Sequence, residues 1–138
     1  SLNSFILWYD IVTSNNTVEI LGMEQELVCK YFGGTYDLLI NINGKIYLID
    51  FKTSNHISYK HFIQTSAYRY MLSLYNTTID GIIILQLSKS DISFNEYILH
   101  IDNIEHNIFL DDCLNTFFGV VYSYYNRLNV EQKFKNLF

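Results

Sequence analysis

Apolar and polar positions along the chain switch between helical and strand-like spacing. Leu2 to Val12 is an apolar stretch that predicts a short helix, and Thr13-Ser14-Asn15-Asn16 reads as the loop that ends it. From Val18 to Val28, β-branched and alternating residues predict a strand interrupted at Gly22. Gly33 to Ile42 and Lys45 to Lys52 are two more strands. The Asn43-Gly44 pair between them is a strong hairpin signal, because a type I′ turn needs positive φ at both central positions. Ser58 to Tyr75 has helical spacing, with Phe62, Ala67, Tyr70, Met71 and Leu74 on related faces and Ser58 suited to the N-cap. Asp80-Gly81 leads into Ile82 to Leu87, an unbroken apolar run of the kind found in strands buried on both faces. Phe94 to Ile101 is a further strand, and Ile104 to Leu128 is one long helix or two separated near Gly119. This order predicts an α/β fold, a central mixed sheet flanked by helices.

The turn also sets a register. With Asn43 and Gly44 as the two loop residues, Ile42 faces Lys45. Counting back along both strands then brings Asp37 opposite Asp50, on one face, with Cβ atoms roughly 4.5–5.5 Å apart. Lys52 lies two residues beyond Asp50 and shares that face. Like charges so placed destabilise a sheet, and the neighbours Leu38, Leu39, Ile40, Leu48, Ile49 and Phe51 are all apolar. A divalent cation with hard oxygen ligands, Mg²⁺ or Mn²⁺, relieves the repulsion. So does a proton shared between the two carboxylates. A metal that lowers the pKa of its water, next to an ammonium that orients that water, is chemistry for phosphodiester hydrolysis. The plain structural alternative is a solvated hairpin end, where both aspartates face water and Lys52 screens them.

Four stretches together resemble the PD-(D/E)XK nuclease superfamily, in its RecB-like and phage-type exonuclease branch. They are Gly33-Gly34-Thr35-Tyr36-Asp37, then Ile49-Asp50-Phe51-Lys52-Thr53-Ser54, then Gln64 and Tyr68. The resemblance spans Glu24 to about Tyr70. It implies a restriction-endonuclease-like fold and a Mg²⁺- or Mn²⁺-dependent deoxyribonuclease, with exonuclease action favoured. It further implies that Asp37, Asp50 and the backbone carbonyl of Phe51 hold the metal. Lys52 would be the catalytic lysine, and Gln64 and Tyr68, four apart on one helical face, would support the site or contact substrate. Tyr36 stands where the superfamily's name has proline. The family's upstream acidic or histidine ligand has four candidates here, Asp10, Glu19, Glu24 and Glu26, since no histidine precedes His56. Glu24 and Glu26 share a strand face by parity and are expected as solvent-facing charges. The short stretch before Asp37 suggests a piece of a longer protein. A site left incomplete would make the chain a catalytically silent module that binds nucleic acid or a partner protein.

Composition narrows the classes. At 138 residues the chain is long enough for one domain with a proper core, and 12 Tyr and 10 Phe exclude a disordered composition. A net charge of −5 argues against a broad basic surface, so nucleic acid would have to be met at a narrow site. Two cysteines, Cys29 and Cys113, can form neither a disulfide framework nor the four-cysteine iron–sulfur site of some nuclease branches. With no transmembrane run and no signal-peptide pattern, a reducing, cytoplasmic setting is the expectation, with DNA as partner. His56, His61, His100 and His106 lack zinc-site spacing and are expected as surface or capping residues. Tyr122, Tyr124 and Tyr125 could stack on bases but are expected in a core or an interface.

Overall fold

A computed structural model describes residues 1–138. Eight elements follow in chain order: α1 (Leu2–Asn15), β1 (Val18–Val28), β2 (Gly33–Ile42), β3 (Lys45–Lys52), α2 (Tyr59–Leu74), β4 (Gly81–Leu87), β5 (Phe94–His100) and α3 (Ile104–Leu137). The strands form one sheet in the order β1-β2-β3-β4-β5. Every neighbouring pair is antiparallel except β3 and β4, which run parallel. That one parallel pair needs a crossover, and α2 supplies it. The α/β fold with a five-stranded mixed sheet flanked by helices agrees with the sequence pattern.

Two apolar layers cover the sheet. On one face Trp8 of α1 packs with Leu38, Ile40, Ile49, Ile83, Leu85 and Leu87. On the other, Phe62, Tyr68, Met71 and Leu72 of α2 and Leu110 and Cys113 of α3 pack on Tyr36, Leu39, Leu48, Ile82 and Ile84. The central strand β4 contributes to both layers, which is why its sequence is an unbroken apolar run.

The hairpin takes the predicted form. Asn43 has φ 55° and Gly44 φ 88°, as a type I′ turn requires. The ladder then runs from Ile42↔Lys45 to Leu38↔Ile49 in the expected register. In β1 the pairing with β2 shifts between Ile20 and Gly22, so Leu21 is an extra, bulged residue. Gly22 beside it allows close approach: a Cβ there would lie 2.0 Å from the Tyr36 hydroxyl.

Three boundaries differ from the pattern. The predicted loop Thr13-Ser14-Asn15-Asn16 is mostly helix. Its side chains bond back to carbonyls one turn earlier: Thr13 Oγ1 to Tyr9, Ser14 Oγ to Asp10, Asn15 Nδ2 to Ile11 and Asn16 Nδ2 to Val12. Those bonds satisfy the helix end locally, so residues usually read as loop formers prolong it. Secondly, α3 is one helix that passes Gly119 and runs to Leu137. Nothing lies within 4 Å of a Cβ built at Gly119, so no close approach forces a break there. No helix, this long one included, is both long and apolar enough to cross a membrane. Thirdly, β5 ends at His100, one residue short of the expected Ile101, whereas α2 has the expected N-cap: Ser58 Oγ accepts the Lys60 N–H.

Candidate functional site

Regular pairing between β2 and β3 stops at Leu38↔Ile49, one rung short of Asp37 and Asp50. The side-chain pattern changes at the same place. Tyr36 and Leu39 pack on the α2 side, whereas Leu38 and Ile40 pack on the α1 side. Strict alternation would put Tyr36 and Leu38 together, so β2 turns over at Asp37 and parts from β3. The expected rung of two directly paired aspartates is therefore replaced by an open hairpin end. There the Asp37 carboxylate reaches across, and its Oδ2 accepts the Phe51 N–H at 2.7 Å. It takes the bond that a β2 backbone carbonyl would receive in a continued ladder. Within a strand the N–H and C=O of one residue point to the same side, so the Phe51 carbonyl also faces this opening.

Asp50 sits beside it, 5% exposed. This burial contradicts the solvated hairpin end considered from sequence. Its Oδ2 lies 3.1 Å from Nζ of Lys52, an ion pair by distance. No donor meets that oxygen at a hydrogen-bonding angle, so the contact is coulombic. Burial pushes the Asp50 carboxyl up to about 6. Lys52 opposes that rise and the Asp37 carboxylate adds to it.

Lys52 in turn donates from Nζ to Oε1 of Gln64 at 3.2 Å, and Gln64 Nε2 donates to the Tyr68 hydroxyl at 3.0 Å. Four side chains thus form one chain, Asp50–Lys52–Gln64–Tyr68, joining the end of β3 to one face of α2. Gly34 makes room for it: a Cβ there would stand 2.7 Å from the Tyr68 ring. Burial raises the Tyr68 phenol and the neighbouring carboxylates raise it further, whereas Gln64 lowers it. The phenol therefore stays protonated at neutral pH.

The structure brings together Asp37, Asp50, Phe51, Lys52, Gln64 and Tyr68. The upstream acids do not join them. Asp10, Glu19, Glu24 and Glu26 are all exposed, and no cluster of three His, Cys, Asp or Glu side chains is close enough to hold a metal. Glu24 occupies the β1 register position across from Asp37, between the pairs Met23↔Leu38 and Gln25↔Tyr36. Its φ of 49° is a left-handed position within β1, whose pairing with β2 continues on both sides of it.

The donor set itself fits a hard cation. The carboxylates of Asp37 and Asp50, the latter with one buried and orphaned oxygen, and the Phe51 carbonyl are oxygen ligands only, and Mg²⁺ usually takes one or two carboxylates and fills its remaining positions with water and phosphate oxygens.

Sequence reading expected His61 as a surface or capping residue but missed that it lies beside the site. It is the N3 residue of the α2 capping box, where its Nδ1 accepts the Ser58 N–H at 3.3 Å. Burial lowers its pKa and the Lys52 charge lowers it further, which sets it on the site side of the helix start. Glu or Gln usually plays this part, and the capping role expected of His61 is found. Gln86 was also missed. It is the β4 register partner of Lys52, and its Nε2 donates to the Ser54 carbonyl at 2.8 Å, fixing the chain just after Lys52.

No protein-family model matches this chain, and no curated protein does. Among solved structures, the crystal structure of SSO0001 is similar in shape, with a TM-score of 0.46 and 19% identity over 80% of this chain. The match covers 56% of that protein, so this chain spans little more than half its length. A likeness of that degree carries no weight on function.

Proposed function

We propose that this chain is a metal-dependent nuclease domain with a restriction-endonuclease-like fold, hydrolysing DNA phosphodiester bonds. The observation that carries the reading is the buried carboxylate oxygen of Asp50. It has no hydrogen-bond donor, and it stands with Asp37, the Phe51 carbonyl and Lys52 where the hairpin ladder opens. Lys52 balances the charge of this carboxylate, but a buried oxygen without a hydrogen-bond donor is still costly, and such perturbed groups cluster at functional sites. Asp37, Asp50 and the Phe51 carbonyl would hold Mg²⁺ or Mn²⁺. Such an ion supplies a water of lowered pKa and polarises a phosphoryl oxygen.

The protein's own residues do the rest. Lys52 is held between Asp50 and Gln64, so its ammonium has a defined position from which to orient the attacking water and stabilise charge on the phosphate. Gln64 is fixed in its turn by Tyr68, which restricts Lys52 to that position. The resemblance to RecB-like and phage-type exonucleases favours exonuclease action on DNA. The absence of a third acidic group at the site favours a second reading, a catalytically silent module that binds nucleic acid or a partner.

The test is incubation with linear single- and double-stranded DNA in Mn²⁺, Mg²⁺ or EDTA. The account expects degradation that requires metal and falls by about 10²–10³ in Lys52→Ala, the usual effect of removing one transition-state charge contact. Product lengths separate exonuclease from endonuclease action. No degradation by the native chain, or equal degradation by Lys52→Ala, overturns it.

A further inference from the structure

The carboxyl ends of β3 and β4 lie side by side because these two strands are the sheet's parallel pair. In α/β sheets, ligands collect outside such carboxyl ends. A cavity of about 360 Å³ occupies this place, lined mostly by polar side chains, among them Thr53, Asn55, Gln86, Ser88, Lys89 and Asn95. It begins one strand away from the site: Gln86 is the register partner of Lys52, and Asn95 on β5 is the register partner of Gln86. Neighbouring strands are about 4.8 Å apart, so the row Lys52, Gln86, Asn95 crosses roughly 10 Å of sheet from the aspartates to the cavity.

The row is already ordered. Asn95 Nδ2 donates to Gln86 Oε1 at 3.2 Å, and Gln86 Nε2 donates to the Ser54 carbonyl. Gln86 therefore acts as a spacer, with both ends of its amide engaged. The Asn95 carbonyl oxygen and the side chains of Thr53, Asn55 and Lys89 remain for a ligand. The charge on the lining is balanced. Lys89 is offset by Asp91, whose carboxyl is held below the usual range by hydroxyl hydrogen bonds from Ser88 and Ser93. A neutral wall of amides and hydroxyls, with Phe94 at its side, suits a base and sugar better than a bare phosphate.

We propose that this cavity is a subsite for one nucleoside unit of the substrate strand, next to the phosphodiester held at Asp37, Asp50 and Lys52. The inference rests on the nuclease reading for its substrate class and adds where the strand lies. It assigns Asn95, Asn55 and Lys89 to substrate binding, and Gln86 to positioning both Asn95 and the loop after Lys52.

The test uses the isotopically labelled full chain in EDTA, titrated with deoxyadenosine 5′-monophosphate and, separately, with inorganic phosphate. Amide shifts from the nucleotide are expected at Thr53 to Asn55, at Lys89 and at Asn95, and phosphate alone should not reproduce them. The exposed-residue pair Lys89→Ala/Asn95→Ala should weaken nucleotide binding about tenfold, and should raise KM for DNA about as much with kcat nearly unchanged, as loss of uniform binding does. Shifts elsewhere, the same shifts with phosphate, or unchanged binding and KM in the double variant would overturn the subsite. If cleavage still needs metal and Lys52 in that case, the nuclease reading stands without it. If the native chain cleaves nothing but the nucleotide maps to the cavity, the nuclease reading falls, and the cavity is a nucleotide-binding site of a catalytically silent module, not a subsite for a cleaved strand.

Discussion

The two ends of the β2–β3 hairpin are built on opposite principles. At the turn end, Asn43 and Gly44 close the chain tightly, and five consecutive rungs pair in one register. The middle of that ladder is core: Leu38, Ile40 and Ile49 are fully buried. At the other end the ladder stops, β2 turns over, and the chain gathers a buried carboxylate, a second carboxylate and a lysine. The contrast teaches where polar chemistry can be kept in an apolar sheet. Continued pairing would consume the backbone of Phe51 and press Asp37 against Asp50. Opening the ladder lets Asp37 turn to the Phe51 N–H, on the side of the strand that the Phe51 carbonyl also faces.

Mutations should separate the two ends. The largest effect on stability belongs to the closed part: Leu38→Ala removes a fully buried side chain and should destabilise by about 3 kcal/mol, read by chemical denaturation. The open end should respond with the opposite sign. The Asp50 carboxyl is raised to about 6 in the fold from an ordinary 3.8, so the native state binds its proton more tightly than the unfolded chain does. Its contribution to stability is then most favourable below pH 4, is lost as pH rises from about 4 to 6, and stays lost above that. Asp50→Asn should therefore raise metal-free stability at pH 7 by roughly 2–3 kcal/mol and change it little at pH 4. Thermal unfolding of both proteins across that range checks the sign. A native chain more stable at pH 7 than at pH 4 relative to Asp50→Asn would contradict it. Smallest is the turn itself, where Gly44→Ala at φ 88° should cost about 1 kcal/mol without disturbing the site, visible as a lower denaturation midpoint and an unchanged metal response.

Most of this contrast is legible in the chain. Asn43-Gly44 sets the register, and the register alone brings Asp37, Asp50 and Lys52 to one place. The spacing of Gln64 and Tyr68 places them on one face of α2. The opening at Asp37 is not legible, because it depends on β2 turning over as Tyr36 packs under α2, a tertiary choice that alternation cannot show. His61 and Gln86 escape for a related reason. His61 reaches the site through an unusual capping role, and Gln86 through a parallel pairing between segments separated by a helix. The reach of α1 to Asn15 depends on side chains bonding back to its own carbonyls, which composition reads as a loop.

The central claim is that the open hairpin end is a built site for a divalent cation, and titration calorimetry with Mn²⁺ at pH 7 addresses it most directly. The account predicts binding by the native chain that is lost in Asp50→Asn, while that variant remains folded and, without metal, more stable. Absence of binding by the native chain, or equal affinity in Asp50→Asn, would contradict it.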